Sequence, residues 1–281
     1  MHVLSLFDGI SCGQVALHRA GIPITTYRAC EIDPNAIKVT QHNFPETVQL
    51  GDVSNLSGIS CDLIMGGSPC QGFSKAGKNA GFADPRSMLL FDFIRLREES
   101  GAKWFLLENV KLKKADADLV SMLLGVEPIE ICSSLFSAQK RRRSYWTNIP
   151  VAPITDAGVE FWQIREWSGD HLKKYKLNRT PSRIQAWRDG KGNGAHGGGC
   201  PNVTYASKTN TLTTKQDRSP CAGLIEYEDF ARYLTPLECE RLQTLPDHYT
   251  ASLKSRDKRY HAIGNGWTVD VIAHILKGIP Q

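Results

Sequence analysis

The feature that most limits what this chain can fold into is an alternation over its first 67 residues, in which short apolar runs give way to polar loops and then to helix-like stretches. The apolar runs are VLSLF (3–7), TTYRACEI (25–32) and CDLIMGG (61–67), with GQVALHRAG (13–21) and NAIKVTQHNF (35–44) among the stretches between them. Strand-like and helix-like segments in this order predict parallel strands joined by crossover helices, hence an α/β sheet. The rhythm continues with a helix over 88–98, a buried strand over 104–107 and further strands over 129–133 and 144–147.

After about Ile149 the texture changes to tryptophans and basic residues, and GKGNGAHGGGC (190–200) is too rich in glycine for a regular helix or strand. From Tyr233 the segment LTPLECERLQTL predicts a helix, with Thr235 as N-cap, Pro236 at the first helical position and Glu238 closing a capping box. The closing GNGWTVDVIAHIL reads as a loop entering an apolar helix. A chain of 281 residues has room for one large core and a smaller attached one. Residues 1–149 with 250–281 are assigned to the first, 150–231 to a small irregular domain, and 232–249 to a hinge helix between them.

Composition excludes several classes. The start MHVLSLFDG has no basic segment ahead of an apolar one, and no later apolar run approaches membrane-spanning length, so an intracellular protein is expected, in the cytoplasm or nucleoid. Eight cysteines are scattered without a Cys-x-x-Cys pair or a Cys/His cluster, so neither a disulfide framework nor a metal is expected. The net charge of +5 is mild, but cations concentrate in QKRRR (139–143) and across 162–191, where eight Lys/Arg face three acids. Polyanions would not be repelled there.

Four segments carry chemistry. LSLFDGISCG (4–13) is an apolar strand followed by a glycine turn at Gly9 and Gly13, which lets a ligand approach backbone at a strand's carboxyl end. It lacks the GxGxxG spacing of a dinucleotide site. Glu31, ending the next strand, can accept both hydroxyls of a ribose, and Asp52 follows in GDV; an alternative is that both acids cap helices. In GGSPCQGFS (66–74) the thiol of Cys70 follows a stiffening proline at another strand end, where cations or oriented amides would activate it as a nucleophile. Finally KWFLLENV places Glu108 and Asn109 at a strand end, where a carboxyl group can donate a proton to a ring nitrogen. Arg141 and Arg143 alternate, so an extended segment would present them on one face.

In this order the segments resemble the cytosine-C5 DNA methyltransferase family, over the whole chain except about 150–230. The resemblance implies a Rossmann-like methyltransferase sheet with a small target-recognition domain, S-adenosyl-L-methionine as cofactor and double-stranded DNA as partner, bound by a monomer. LFDGISCG looks like the cofactor loop, with Phe7, Asp8, Gly9 and Gly13; Glu31 like the ribose acid; Asp52, with Val53, like the adenine side. By the same correspondence Ile32, Pro69 and Leu89 pack on the cofactor, while Asn265 and Trp267 close its pocket.

Cys70 is then the nucleophile that adds to cytosine C6, Glu108 holds ring N3 and the amino group, and Arg141 and Arg143 support the developing charge. Because C5 and C6 are stacked inside a duplex, the base must flip out. Gln71, Ser74, Lys75 and Lys78 of the following glycine-rich loop, with Gln139, are expected to meet DNA, and Arg165, Arg179, Arg183 and Arg188 to touch guanines or phosphates. Two departures are that Gly266-Trp267 stands where many bacterial members have a small residue and valine, and that TNIPV (147–151) follows the arginine motif; 150–230 has no recognisable counterpart. Two rival functions share the fold: methylation of a transfer RNA cytosine, and catalytically silent DNA binding.

Overall fold

In the computed structural model, residues 1–69, 89–178, 182, 185, 200–218, 220–227 and 230–280 are described. By contacts the chain forms two units. The first comprises Met1–Cys132, Arg142–Ile154 and Val269–Gln281, and the second Ser133–Arg141 and Thr155–Thr268. The second unit is thus larger than the 150–231 assigned from sequence, because 232–268 and the short 133–141 segment pack within it.

The first unit is built on seven strands, β1 (His2–Leu6), β2 (Thr26–Cys30), β3 (Val48–Gln49), β4 (Leu63–Gly67), β5 (Trp104–Asn109), β6 (Ile129–Cys132) and β7 (Arg142–Thr147). Their order is β3-β2-β1-β4-β5-β7-β6. β1 to β5 pair in parallel, while β7 runs antiparallel to both β5 and β6. Among the described residues the α-helices include, in chain order, α1 (Cys12–Ala20), α2 (Pro34–Asn43), α3 (Leu89–Ser100), α4 (Lys114–Leu124), α5 (Phe161–Ile164), α6 (Pro236–Leu242), α7 (Arg256–Asn265) and α8 (Val269–Leu276). Among the described residues no helix is long and apolar enough to cross a membrane.

Helices cover both faces of this sheet, which is why its central strands are apolar throughout rather than alternating. On one face Leu4, Leu6, Ile64, Phe105 and Leu107 meet Leu90, Phe93 and Leu96 of α3 and Val120 and Leu124 of α4. Burying each such side chain stabilises the fold by about 1.5–3 kcal/mol. Trp146 of β7 joins this core and its indole donates to Ser121 Oγ at 3.1 Å. Elsewhere in the unit α1 packs on α8, where Arg19 pairs with Asp270 at 2.6 Å. Gly13 lets α1 lie close on the sheet: a Cβ there would come within 2.5 Å of Met65 Cε and 3.0 Å of Tyr27 Oη.

The second unit holds α5, α6, α7 and a hairpin of β8 (Leu224–Glu226) and β9 (Ala231–Tyr233). The capping box expected at Thr235 is present: Glu238 N donates to Thr235 Oγ1 at 3.1 Å and Thr235 N to Glu238 Oε2 at 2.8 Å. Two features were not expected. GN of GNGWTVDV ends the helix α7 instead of lying in a loop, and its sequence RDKRYHAIGN buries only a few scattered side chains. Cys200 and Cys221 form a disulfide despite their lack of any paired spacing, because the fold brings positions 21 apart to within 5.1 Å between Cα atoms.

Candidate active site

In an open α/β sheet, ligands bind outside the carboxyl ends of the strands where the order reverses. Here that point lies at β1 and β4, and four predicted segments end on this same edge because their strands are parallel. After β1 the chain turns sharply, with Phe7 and Ser11 at φ 55° and Gly9 at φ 60°. The turn presents Gly9 N, which donates to Glu31 Oε2 at 2.7 Å, while Glu31 Oε1 accepts from Ile32 N at 2.7 Å and Asp33 N at 2.8 Å. Three amides therefore fix Glu31 at the end of β2. A carboxylate oxygen has two lone pairs, so Oε2 retains capacity toward a ribose hydroxyl.

Asp8 sits in the same turn, accepting from Tyr27 Oη at 2.7 Å and from Ser11 Oγ. Burial pushes its carboxyl up to about 6, against the hydroxyl donors that favour the ion, and Glu31 adds repulsion. Ile32 beside it is 72% exposed, an apolar side chain presented at the strand edge. Asp52 is exposed and caps the 3-10 turn Val53–Asn55 through Ser54 N at 2.9 Å, with Val53 buried in the core. The capping alternative therefore describes Asp52, and Glu31 is the acid fastened to the loop. Phe7, Pro69 and Leu89 are half-buried, and Phe7 and Leu89 pack against the core.

The ends of β4 and β5 adjoin, with Gly67 opposite Glu108. Asn109 Nδ2 donates to Ser68 Oγ at 2.9 Å, both residues buried, and Val110 N donates to Asn109 Oδ1 at 2.8 Å. These bonds pin the segment that leads through Pro69 to Cys70. Arg143 Nε lies 2.9 Å from Glu108 Oε1, and the two side chains are only 15% and 10% exposed. Cys70 itself, with Gln71, Ser74, Lys75 and Lys78, lies outside the described residues, as do Arg179, Arg183 and Arg188. Among the described thiols, Cys30 is unsuited to nucleophilic work: burial and the nearby Asp8, Asp52 and Glu31 push it up to about 12.

Other predicted residues fall in the second unit and behave differently. Arg141 is buried and donates to the carbonyls of Leu212 at 3.3 Å and Gly266 at 3.1 Å. Gln139, expected to meet nucleic acid, is instead fully buried; it donates to Leu242 O and Gln243 Oε1 and accepts from Leu212 N. Arg165 is likewise not at the surface: it is 5% exposed, donates to Thr204 O and stacks 3.9 Å from the Trp167 ring centroid. Asn265 is exposed at the end of α7, with Trp267 half-buried two residues on.

Sequence reasoning missed what organises this unit. Gln243 donates to Ile263 O and Gly266 O and accepts from Thr268 Oγ1, Lys208 donates to three carbonyls, and Arg232 pairs with Glu238 at 2.7 Å with both side chains wholly buried. The only hint was the capping-box glutamate.

The description "C-5 cytosine-specific DNA methylase" belongs to a family model that matches residues 1–119 and 135–281. The chain is 29% identical over 302 residues to the type II methyltransferase M1.ScrFI of Lactococcus lactis subsp. cremoris, covering 98% of this chain and 77% of that protein. It is 40% identical over 116 residues to the orphan methyltransferase M.SPRI of Bacillus phage SPR; that alignment covers 40% of this chain and 26% of the phage protein. In fold it is similar to the Entamoeba histolytica methyltransferase EhMeth, at TM-score 0.78, 17% identity and coverage of 98% and 96%. The S. pombe Dnmt2 methyltransferase matches at TM-score 0.73 and 18% identity, with the same coverage. With its cofactor-edge geometry and a match that runs nearly end to end, the chain belongs to the C-5 cytosine-specific DNA methylase family.

Proposed function

We propose that this protein methylates C5 of a cytosine flipped out of duplex DNA, with S-adenosyl-L-methionine as methyl donor and Cys70 as the nucleophile. The observation that carries the reading is the Glu108–Arg143 pair at 2.9 Å, next to the Asn109–Ser68 bond that pins the segment entering Cys70. The residues at the neighbouring strand ends suit the donor: Glu31 held for a ribose, an exposed Ile32 for an adenine face, and a glycine turn without pyrophosphate spacing. The sulfonium supplies an electrophilic methyl group.

Cytosine C5 is a weak nucleophile. Addition of the Cys70 thiolate to C6 forms an S–C bond and moves electron density to C5, where the methyl group is accepted. Glu108, oriented by Arg143, hydrogen-bonds N3 and the exocyclic amino group as charge develops on the ring. Loss of the C5 proton to water or another base then expels the thiolate from C6, leaving 5-methylcytosine.

The test is incubation with labelled cofactor and either mixed-sequence duplex DNA or transfer RNA, followed by bisulfite mapping of the DNA. The expected result is 5-methylcytosine in duplex DNA, lost in Cys70→Ser with cofactor binding retained. Transfer to RNA alone would replace the substrate, and full activity in Cys70→Ser would overturn the mechanism.

A further inference from the structure

We infer that the second unit carries a pocket for an unstacked nucleobase bearing an exocyclic amino group, distinct from the cytosine that is methylated. The inference rests on the reading of this chain as a nucleic-acid methyltransferase. An open cavity of about 380 Å³ is lined by Asn202, Thr204, Tyr205, Ala206 and Glu226. That volume lies within the ~300–1,000 Å³ span of small-ligand sites. Beside it stand two aromatic rings that the fold leaves uncovered: Tyr205 is 80% exposed and Trp167 49%, with centroids 6.4 Å apart.

The Trp167 ring is held in place. Trp167 rests on the Arg165 guanidinium, and Arg165 is itself buried and bonded to Thr204 O at 2.5 Å. Thr204 Oγ1 in turn donates to Asn202 Oδ1 at 2.6 Å and accepts from Glu226 N at 2.8 Å. Asn202 Nδ2 donates to Glu226 Oε2 at 2.9 Å, which orients the carboxylate. One buried arginine and one threonine therefore fix both an aromatic surface and a polar edge.

The chemistry of that edge selects the occupant. Exposed aromatic faces bind planar bases by stacking, irrespective of sequence. A carboxylate accepts from the amino group of cytosine or adenine and is repelled by the carbonyl edge of thymine. It also repels phosphate, so the cavity does not suit a backbone anion. A base can meet an aromatic face only when it has left its own stack, as the bases of a single strand can.

The test measures fluorescence anisotropy of labelled oligo(dA), oligo(dC) and oligo(dT) with the full chain. Oligo(dA) and oligo(dC) are expected to bind about tenfold tighter than oligo(dT). Tyr205→Ala, at an exposed position, should lower affinity for both by about 5- to 100-fold, with Trp167→Phe retaining most of it. Glu226→Gln should erase the preference over oligo(dT) without weakening oligo(dT) itself. Wild-type binding that is absent or equal for all three, or Tyr205→Ala binding like wild type, overturns the pocket. Methyl transfer to duplex DNA is measured on the same preparations: transfer with no base preference sinks the pocket alone, and absence of transfer as well sinks the reading beneath it.

Discussion

Replacing Asp8 by Asn should stabilise the protein at neutral pH. Burial raises the Asp8 carboxyl from 3.8 to about 6. A folded-state value above the unfolded one means that the neutral form is favoured by folding, so this stability is fully present below about pH 4 and lost as pH rises toward 6. A shift of about two units corresponds to about 3 kcal/mol of destabilisation at pH 7, and to about 1 kcal/mol at pH 4.5. Asparagine keeps the shape: its Oδ1 can still accept from Tyr27 Oη, and its Nδ2 can donate to the Ser11 hydroxyl, which rotates to accept. Urea unfolding of both proteins at the two pH values reads the effect, because carboxylates remote from Asp8 titrate alike in each and cancel in the difference. The Asp8→Asn advantage should fall by about 2 kcal/mol between pH 7 and pH 4.5. An advantage that does not change with pH, or a variant less stable than wild type at pH 7, would refute the account of Asp8 as a desolvated charge.

Three further outcomes are expected. Glu108→Gln should lower turnover by about 100-fold or more with DNA affinity retained, and kinetics like wild type would remove Glu108 from the ring-holding role. Arg232→Met strands the buried Glu238 carboxylate and should cost about 3–5 kcal/mol by chemical denaturation; stability like wild type would refute the pairing. Gln139→Leu should cost about 1–3 kcal/mol, since Leu212 N loses its buried acceptor while Leu242 O keeps Ser137; a stable variant with weakened DNA binding would show that Gln139 acts at the surface after all.

The sheet was legible because its strands are buried on two faces, so unbroken apolar runs such as VLSLF and KWFLLEN announce them. The helix α7 was not, because RDKRYHAIGN is mostly polar and only Tyr260, Ala262, Ile263 and Gly264 are buried, too few to make an apolar period. The site was legible as a set of strand ends, since parallel strands deliver Asp8, Glu31 and Glu108 to one edge. Directions within a basic run were not. Arg141 and Arg143 are two apart, but β7 begins at Arg142, so the two-residue period does not extend back to Arg141 and its side chain turns to Leu212 and Gly266. The disulfide and the hydrogen bonds of Gln243 join positions far apart in sequence, which no local pattern reports.

The nine-residue segment Ser133–Arg141 has a bearing on how the second unit could be exchanged between chains of this fold. It belongs with the second unit though it is separated from the rest of that unit by β7, and it supplies Ser137 and Gln139 to the carbonyl of Leu242. The second unit transplanted as the continuous stretch 155–268 would therefore arrive without one of its own walls. Chimeras that exchange both pieces together should fold more often than those that exchange the long insert alone, so the unit of inheritance here is a discontinuous pair.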